Sequence, residues 1–383
     1  MVFLLYIVLV AANLFWLSLV LQALTALKRN EYLPENLEPV STPKVSILVS
    51  ARNESRILSQ ALDSLLNQDY PDFEILVIDD HSEDNTYSVA ASYSERDPRV
   101  RVFQSSDLPA DWRGKPWALQ QATNKADGNW FVLTDADVIH HPGILRCALA
   151  LAQKEELDFL SVVPYLECHT FWERVILPSW AAILMMIRPL HKSNDPNSSI
   201  AFASGGFILA KAHVFKHLRG YESIRTAIAE DLQLATLFKS CGYRIKTVLT
   251  RSKWSRTRMY RSLHGIWEGL SRHAFEVSYY SPIRIVAAVT AGYLLVIAPF
   301  VTGILAILYL QWNLVYLSLF PLLTMTGMQT VLNHRWGISL FYFFSFPLAS
   351  ALYGMMMLNS MLSYYYLGGN LWKGRRYGPA GIL

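Results

Sequence analysis

The chain has 383 residues, of which 52% are hydrophobic, 13% aromatic and only 17% charged, and its formal net charge is +4. Charged content below the roughly 25% of soluble proteins implies lipid contact, and so modest a charge points to basic residues flanking membrane segments rather than to a nucleic-acid footprint. Cys147, Cys168 and Cys241 have no metal or redox spacing and fit small core residues of a reduced, cytosol-facing domain.

Residues 2–27 carry no charge and exceed the roughly 20 residues needed to cross a bilayer. No basic residue precedes them and no convincing small-residue cleavage site follows, so residues 1–29 read as an uncleaved anchor and not as a secretory signal. Lys28 and Arg29 then put the next domain in the cytoplasm. Residues 30–43, with Pro34, Pro39 and Pro43, read as a linker.

From Lys44 to about residue 251 strands alternate with helices. Val45 to Val49 is a β-branched strand, and 55–67 has helical spacing with Ile57, Leu58, Leu62, Leu65 and Leu66 on one face. Phe73 to Ile78 is a second strand ending in Asp79-Asp80-His81-Ser82, a helix runs to about Arg96, and Val100 to Phe103 is a third strand. A helix beginning near Lys115 leads to the fourth, Trp130 to Leu133. Successive βα units specify an α/β fold with a parallel sheet covered on both faces. The first strand is not followed by G-x-G-x-x-G, and there is no P-loop, so dinucleotide and P-loop folds lack their fingerprints.

The fourth strand runs into Thr134-Asp135-Ala136-Asp137, at the carboxyl edge where ligands collect in open α/β sheets. Side chains at i and i+2 of an extended segment point the same way, so Asp135 and Asp137 can converge on one hard cation. A polar turn with Asp137 capping the next helix is the alternative. His140 and His141 sit close by, but adjacent residues of an extended chain point to opposite sides, which favours a turn role over metal ligation.

Phe159 to Val163 reads as a further strand. Residues 171–190, interrupted by Pro178 and Pro189, are too broken to span and read either as a core helix or as a helix in the membrane interface. Ala203 to Leu209 reads as a strand opening with Gly205-Gly206, which permit close backbone approach to a ligand. Glu230 and Asp231 begin a helix, where acidic residues are favoured by the dipole whatever their function. Residues 252–282 form a basic, aromatic segment, and 283–367 hold apolar runs at 285–310, 314–332 and 338–362, each long enough to span. Three such spans after a cytoplasmic domain would leave the basic tail, 368–383, outside, against the positive-inside preference.

With these segments in order, the chain resembles membrane-bound family 2 glycosyltransferases with a GT-A fold, in particular hopanoid-associated, carotenoid and ceramide-type lipid glycosyltransferases. The resemblance rests on Val45 to Glu54, Ile78 to Thr86, Gly114-Lys115-Pro116-Trp117, Asp135-Ala136-Asp137, Glu230-Asp231 and the tail Trp372-Lys373-Gly374-Arg375. It implies a Rossmann-like, mostly parallel α/β sheet with helices on both faces, spanning 44–251, with transmembrane helices at both ends. It further implies that Ala51, Asn53, Glu54, Asp79 and Asp80 line the nucleotide pocket of a sugar-nucleotide donor. Lys115 would sit by the phosphates, with Asp137 and Asp135 on Mg²⁺ or Mn²⁺. Asp231 would be the general base and Glu230 its acceptor-side neighbour. A strand-end cap is the competing role for Asp79-Asp80.

The chemistry fits that division: sugar transfer expels a diphosphate whose charge a carboxylate-held divalent ion neutralises, while a free carboxylate accepts the attacking hydroxyl's proton. The chain departs from processive and ceramide-type relatives at Leu263 to Trp267, where a Gln-x-x-Arg-Trp element is expected and Ile266 stands in place of the Arg. Arg258, Arg261 or Arg272 could supply that cation, and Trp267 could equally be an interfacial anchor. The expected reaction is a single transfer to a membrane lipid, with a polysaccharide synthase and a silent membrane scaffold as rivals.

Overall fold

The computed structural model describes residues 2–251 and 253–378, so Met1 of the expected anchor, Ser252 of the basic segment and 379–383 of the tail lie outside the described residues. The chain divides into two compact units, one of Asn30–Glu167 with Arg188–Met259, the other of Met1–Arg29, Cys168–Ile187 and Tyr260–Leu383.

The first unit is α/β. Its strands are β1 (Val45–Ala51), β2 (Phe73–Asp79), β3 (Val100–Gln104), β4 (Trp130–Asp135), β5 (Val138–His140), β6 (Phe159–Val163), β7 (Tyr165–Leu166), β8 (Ile208–Lys211), β9 (Ile245–Leu249) and β10 (Ser255–Thr257). Seven form one sheet in the order β3, β2, β1, β4, β8, β6, β9, and β5, β10 and β7 form a small second sheet. β1 pairs in parallel with β2 and β4, and β2 with β3. β8 runs antiparallel to both β4 and β6, so the sheet is mostly and not wholly parallel.

The central strands are buried on both faces, which is why they read as near-continuous apolar runs. Their two-residue period still sorts them. Ile47 and Val49 of β1, Ile75 and Val77 of β2, and Val132 of β4 pack with helices Leu58–Leu66 and Ile144–Lys154. Leu48, Leu76, Ile78, Phe131 and Leu133 pack with helices Gly114–Lys125 and Glu230–Ser240. Asp135 continues the Phe131, Leu133 row and therefore faces the second pair of helices.

Two expectations change here. The strand placed at Ala203–Leu209 begins only at Ile208. Gly205 and Gly206 form a turn instead, because the Gly205 N–H donates to Asp231 (2.9 Å) and the Gly206 carbonyl accepts from Thr134 Oγ1 (2.8 Å). The segment read as a linker is fastened down. Leu33 N donates to the Leu249 carbonyl (2.8 Å), Leu249 N donates to the Glu31 carbonyl (2.9 Å), and Val40 N donates to Gln153 Oε1 (2.7 Å).

The second unit is helical. Among the described residues three helices are long and apolar enough to cross a membrane: Phe3–Thr25, Pro282–Leu308 and Trp312–Arg335. Within the expected third C-terminal run a 3₁₀ turn, Leu340–Phe344, precedes the 21-residue helix Phe346–Tyr366, whose tyrosines, serines and Asn359 make it less apolar than those three. Residues Phe171–Ile187 make one continuous helix through Pro178, with Ser179 Oγ donating to Gln329 Oε1 (2.9 Å) in helix Trp312–Arg335. Trp16 of the N-terminal helix packs with Val296, Met325 and Phe346, and its indole N–H donates to the Leu295 carbonyl (2.9 Å) inside a π-turn, Tyr293–Ile297. A π-turn frees a carbonyl from the helical ladder, and the indole satisfies it.

A charged cleft at the carboxyl ends of the central strands

β1 leads by way of helices to β2 and β3 on one side, whereas β4 lies on its other side. The gap between β1 and β4 is thus a topological switch point, the usual binding crevice of an open sheet. Ser50 of β1 is register partner of Asp135 of β4, and Ala51 of Asp79 of β2, so three strands end together there.

Asp135 Oδ1 accepts from Lys115 Nζ at 2.5 Å, and the same ammonium contacts Glu230 Oε1. Lys115 stands in the first turn of helix Gly114–Lys125, and Glu230 and Asp231 in that of helix Glu230–Ser240. These are the two helices that the parity of β4 turns Asp135 toward. Burial works against the Lys115 charge, but Asp135 and Glu230 outweigh it and hold its pKa well above the ordinary lysine value.

Asp231 is gripped by two backbone donors, Gly205 N to Oδ2 (2.9 Å) and Leu232 N to Oδ1 (2.8 Å). Burial, reinforced by Glu230, pushes its carboxyl up to about 7, with Lys115 and the Leu232 N–H pulling the other way. A cleft opens among Lys115, Asp135, Gly205, Tyr221, Glu230 and Asp231. A Cβ at Gly205 would stand 3.3 Å from Asp135 Oδ2, 3.5 Å from Lys115 Nζ and 3.6 Å from Asp231 Oδ2. The cradle among those groups exists because residue 205 has no side chain. Three carboxylates against one ammonium leave it a surplus of negative charge.

A second group gathers at the ends of β1 and β2. Asn53 and His81 both adopt left-handed backbone (φ 53° and 54°), and their loops are laced together. Asn53 N donates to Ser82 Oγ (3.0 Å), Glu83 N to Asn53 Oδ1 (2.8 Å), Glu54 N to Thr86 Oγ1 (2.8 Å), and Arg52 Nη1 to the Asp80 carbonyl (2.7 Å). Asp79 is buried, with one oxygen accepting from Ser82 N (3.2 Å), while its Oδ1 has no hydrogen-bond partner among the described residues. The turn-capping role is thus present, and a buried orphan acceptor remains. Slight burial of Asp84 is outweighed by hydrogen bonds from Thr86 and Ser55, which bring its carboxyl down to about 2.

Asp137 does not share an extended segment with Asp135. β4 ends at Asp135, Ala136 and Asp137 form a turn, and Asp137 Oδ2 accepts from Thr257 Oγ1 of β10 (3.2 Å). The i, i+2 argument for convergence therefore fails on geometry, and the helix at Ile144 takes Gly143 and not Asp137 at its N-cap. Among the described residues no three His, Cys, Asp or Glu side chains close around one point. Asp135 in the cleft and Asp137 in the turn after it are carboxylates of the kind a hard cation takes together with phosphate and water. His140 is buried, its Nε2 paired with Thr134 Oγ1 (2.9 Å), and burial drops its pKa to about 3 against the pull of Asp135. His141 stacks on Trp254 at 4.3 Å.

Of the residues singled out in the sequence, Lys115, Asp135, Glu230 and Asp231 meet in the cleft, Ala51, Asn53, Glu54, Asp79 and Asp80 in the laced loops, and Asp137 stands beside β10. Tyr221 is the lining residue that sequence reasoning missed. Gly205 had left a signal in the glycine pair, whereas a lone tyrosine carries none.

Residues 46–219 match the family model described as Glycosyl transferase family 2. The chain is 25% identical over 341 residues to a 4,4'-diaponeurosporenoate glycosyltransferase of Staphylococcus aureus, covering 87% of this chain and 88% of that one. It is 31% identical over 124 residues to a beta-monoglucosyldiacylglycerol synthase of Trichormus variabilis, covering 32% of this chain and about a quarter (26%) of that one. In fold it is similar to a mannosyltransferase of Pyrobaculum calidifontis solved with GDP-Man and Mn²⁺, at TM-score 0.55 and 19% identity over 94% of this chain and 98% of that one.

Proposed function

We propose that this chain, a nucleotide-sugar-dependent glycosyltransferase with a family 2 domain of GT-A fold over residues 46–219, moves a single sugar onto a membrane lipid with inversion at the sugar carbon. The observation that carries the reading is the cleft in which Asp231, lifted to about 7, faces the Lys115, Asp135 and Glu230 cluster at the strand ends.

Asp231 takes the proton of the acceptor hydroxyl as its oxygen bonds to the sugar carbon, and the bond from that carbon to the diphosphate breaks, releasing the nucleoside diphosphate. A base with a pKa near 7 is ionised at working pH and still basic enough to accept. The two backbone N–H donors fix its direction. Lys115, charged and free to exchange one carboxylate for a phosphate, holds the diphosphate, and Glu230 keeps it in place. Ala51, Asn53, Glu54, Asp79 and Asp80 line the nucleotide side, where the orphan Asp79 oxygen suits a ribose or base donor group. Asp135 and Asp137 would hold Mg²⁺ or Mn²⁺, which when bound neutralises charge developing on the diphosphate.

A lipid acceptor, hopanoid or another isoprenoid, is supported by the relative named for 4,4'-diaponeurosporenoate, which aligns over most of both chains, and by the apolar helices. Placement of the catalytic unit in the cytoplasm is supported by charge. Lys28 and Arg29 follow the first candidate span, Arg284 begins the second and Arg335 ends the third, while residues 285–334 contain no Lys or Arg. Two C-terminal spans and not three bring the basic tail back to that same side.

The test is the full-length protein in phospholipid vesicles with extracted lipid acceptors and radiolabelled UDP-glucose, UDP-galactose, UDP-N-acetylglucosamine and GDP-mannose. Label is expected in extracted lipid, lost on chelation and restored by Mn²⁺ or Mg²⁺, and Asp137→Asn should weaken metal-dependent nucleotide binding. Label in insoluble polymer would favour a processive synthase. No turnover of any donor, with no metal-dependent nucleotide binding, would favour a silent scaffold.

A further inference from the structure

Tyr221 is 1% exposed, packed edge-on against Phe215 at 5.5 Å, and yet lines the charged cleft with Lys115, Asp135, Glu230 and Asp231. Its placement is built with care. Arg219 and Gly220 both adopt left-handed backbone (φ 58° and 42°), turning the chain into the 3₁₀ segment Gly220–Ile224. A Cβ on Gly220 would lie 2.0 Å from Phe215 Cε1, so the turn requires glycine. The segment is clasped to the helix that carries Lys115: Glu222 N donates to Gln120 Oε1 (3.1 Å), Arg113 N to the Arg225 carbonyl (2.8 Å), and Arg225 pairs with Asp111 (2.9 Å).

Among the described residues no protein group hydrogen-bonds the Tyr221 hydroxyl, which leaves it open to a ligand in the cleft. The neighbouring charged groups are already engaged: Lys115 bridges Asp135 and Glu230, and both Asp231 oxygens accept backbone N–H groups. Burial and the surrounding carboxylates keep the phenol protonated, so it offers a neutral donor. A diphosphate is matched by Lys115; a neutral donor lining the same cleft as Lys115 and Asp231 matches the uncharged polyol that links a diphosphate to an acceptor.

We infer that Tyr221 is a sugar-binding residue whose hydroxyl donates a hydrogen bond to one ring hydroxyl of the sugar in transit. The inference rests on the glycosyl-transfer reading above and adds to it a residue that selects the donor.

The test uses the full-length protein in vesicles, wild type and Tyr221→Phe, with whichever of the four donors is turned over and its monodeoxy analogues. Wild type should disfavour one deoxy position by about tenfold in kcat/KM, the scale of one buried hydrogen bond. Tyr221→Phe should lose that preference at that position alone, with its thermal midpoint kept. A wild type indifferent to every deoxy position overturns the inference, and so does discrimination unchanged in the variant. A variant whose acceptor KM alone rises overturns it as well, since the phenol would then serve the lipid hydroxyl. If wild type turns over no donor, the glycosyl-transfer reading itself has failed and this inference falls with it.

Discussion

Asp231 combines two opposed environments. It starts a helix, where the dipole and two N–H donors favour a carboxylate, and it lies in a desolvated cleft beside Glu230, which favours the acid; the second wins, at about 7. As the proposed base it must be ionised, so kcat/KM should fall about tenfold per unit as pH drops below about 7 and level off above it. Asp231→Asn should abolish turnover while leaving nucleotide affinity nearly intact, checked by single-turnover assays beside nucleotide titration. The sign for stability is opposite. A carboxyl whose pKa is raised on folding stabilises the fold below its unfolded value near 4, and that contribution is lost as pH rises to about 7. The thermal midpoint of the Asn variant should therefore gain on wild type between pH 4 and 8.

The same logic works on whole elements through the two-residue period of the strands. Parity turns Asp135 toward the helices that bear Lys115, Glu230 and Asp231, and a one-residue slip of β4 would put Asp135 on the opposite face. The turn before β8 is the other determinant, and its two glycines do different things. Gly205→Ala adds a methyl at ordinary contact distance from Lys115 and Asp231 and slightly close (3.3 Å) to Asp135, filling the cradle without breaking the fold. Donor binding should weaken by tenfold or more with little change in melting. Gly206→Ala drives a methyl to 2.7 Å from Pro164 Cγ, an overpacking worth about 1–3 kcal/mol. Calorimetry of the two variants beside nucleotide titration separates these outcomes.

For the whole molecule, the number of spans decides where the basic tail lies. Helix Phe346–Tyr366 buries Phe346, Ala349, Gly354, Met356 and Ser360, and Ser360 Oγ accepts from the Phe275 N–H (3.1 Å); we propose that it packs and does not span, which leaves the two candidate spans Pro282–Leu308 and Trp312–Arg335 after the first unit. Of the three cysteines read in the sequence as core residues only Cys147 is buried; Cys241 is exposed and should react with an impermeant maleimide in inverted vesicles and not in intact cells. A cysteine at Gln311, between the second and third candidate spans, should show the reverse. Matching sidedness for the two would overturn the proposed topology.

The order of strands and helices, the long apolar N-terminal helix, the acidic ends of β2 and β4 and the acidic start of helix Glu230–Ser240 were legible in the sequence, because apolar periodicity and strand-end composition are local properties. The closeness of Lys115, Asp135, Glu230 and Asp231 was not, since they come from three segments that only the sheet's face and order bring together. Nor was the turn that carries Asp137 in place of the extended geometry that spacing suggested, or the antiparallel β8, whose direction depends on pairing partners far along the chain. Tyr221 is the plainest case. Its residue type carries no functional signal, and it lines the cleft because a left-handed turn at Arg219 and Gly220, where only glycine fits against the ring of Phe215, is fixed by contacts that exist once the chain has folded.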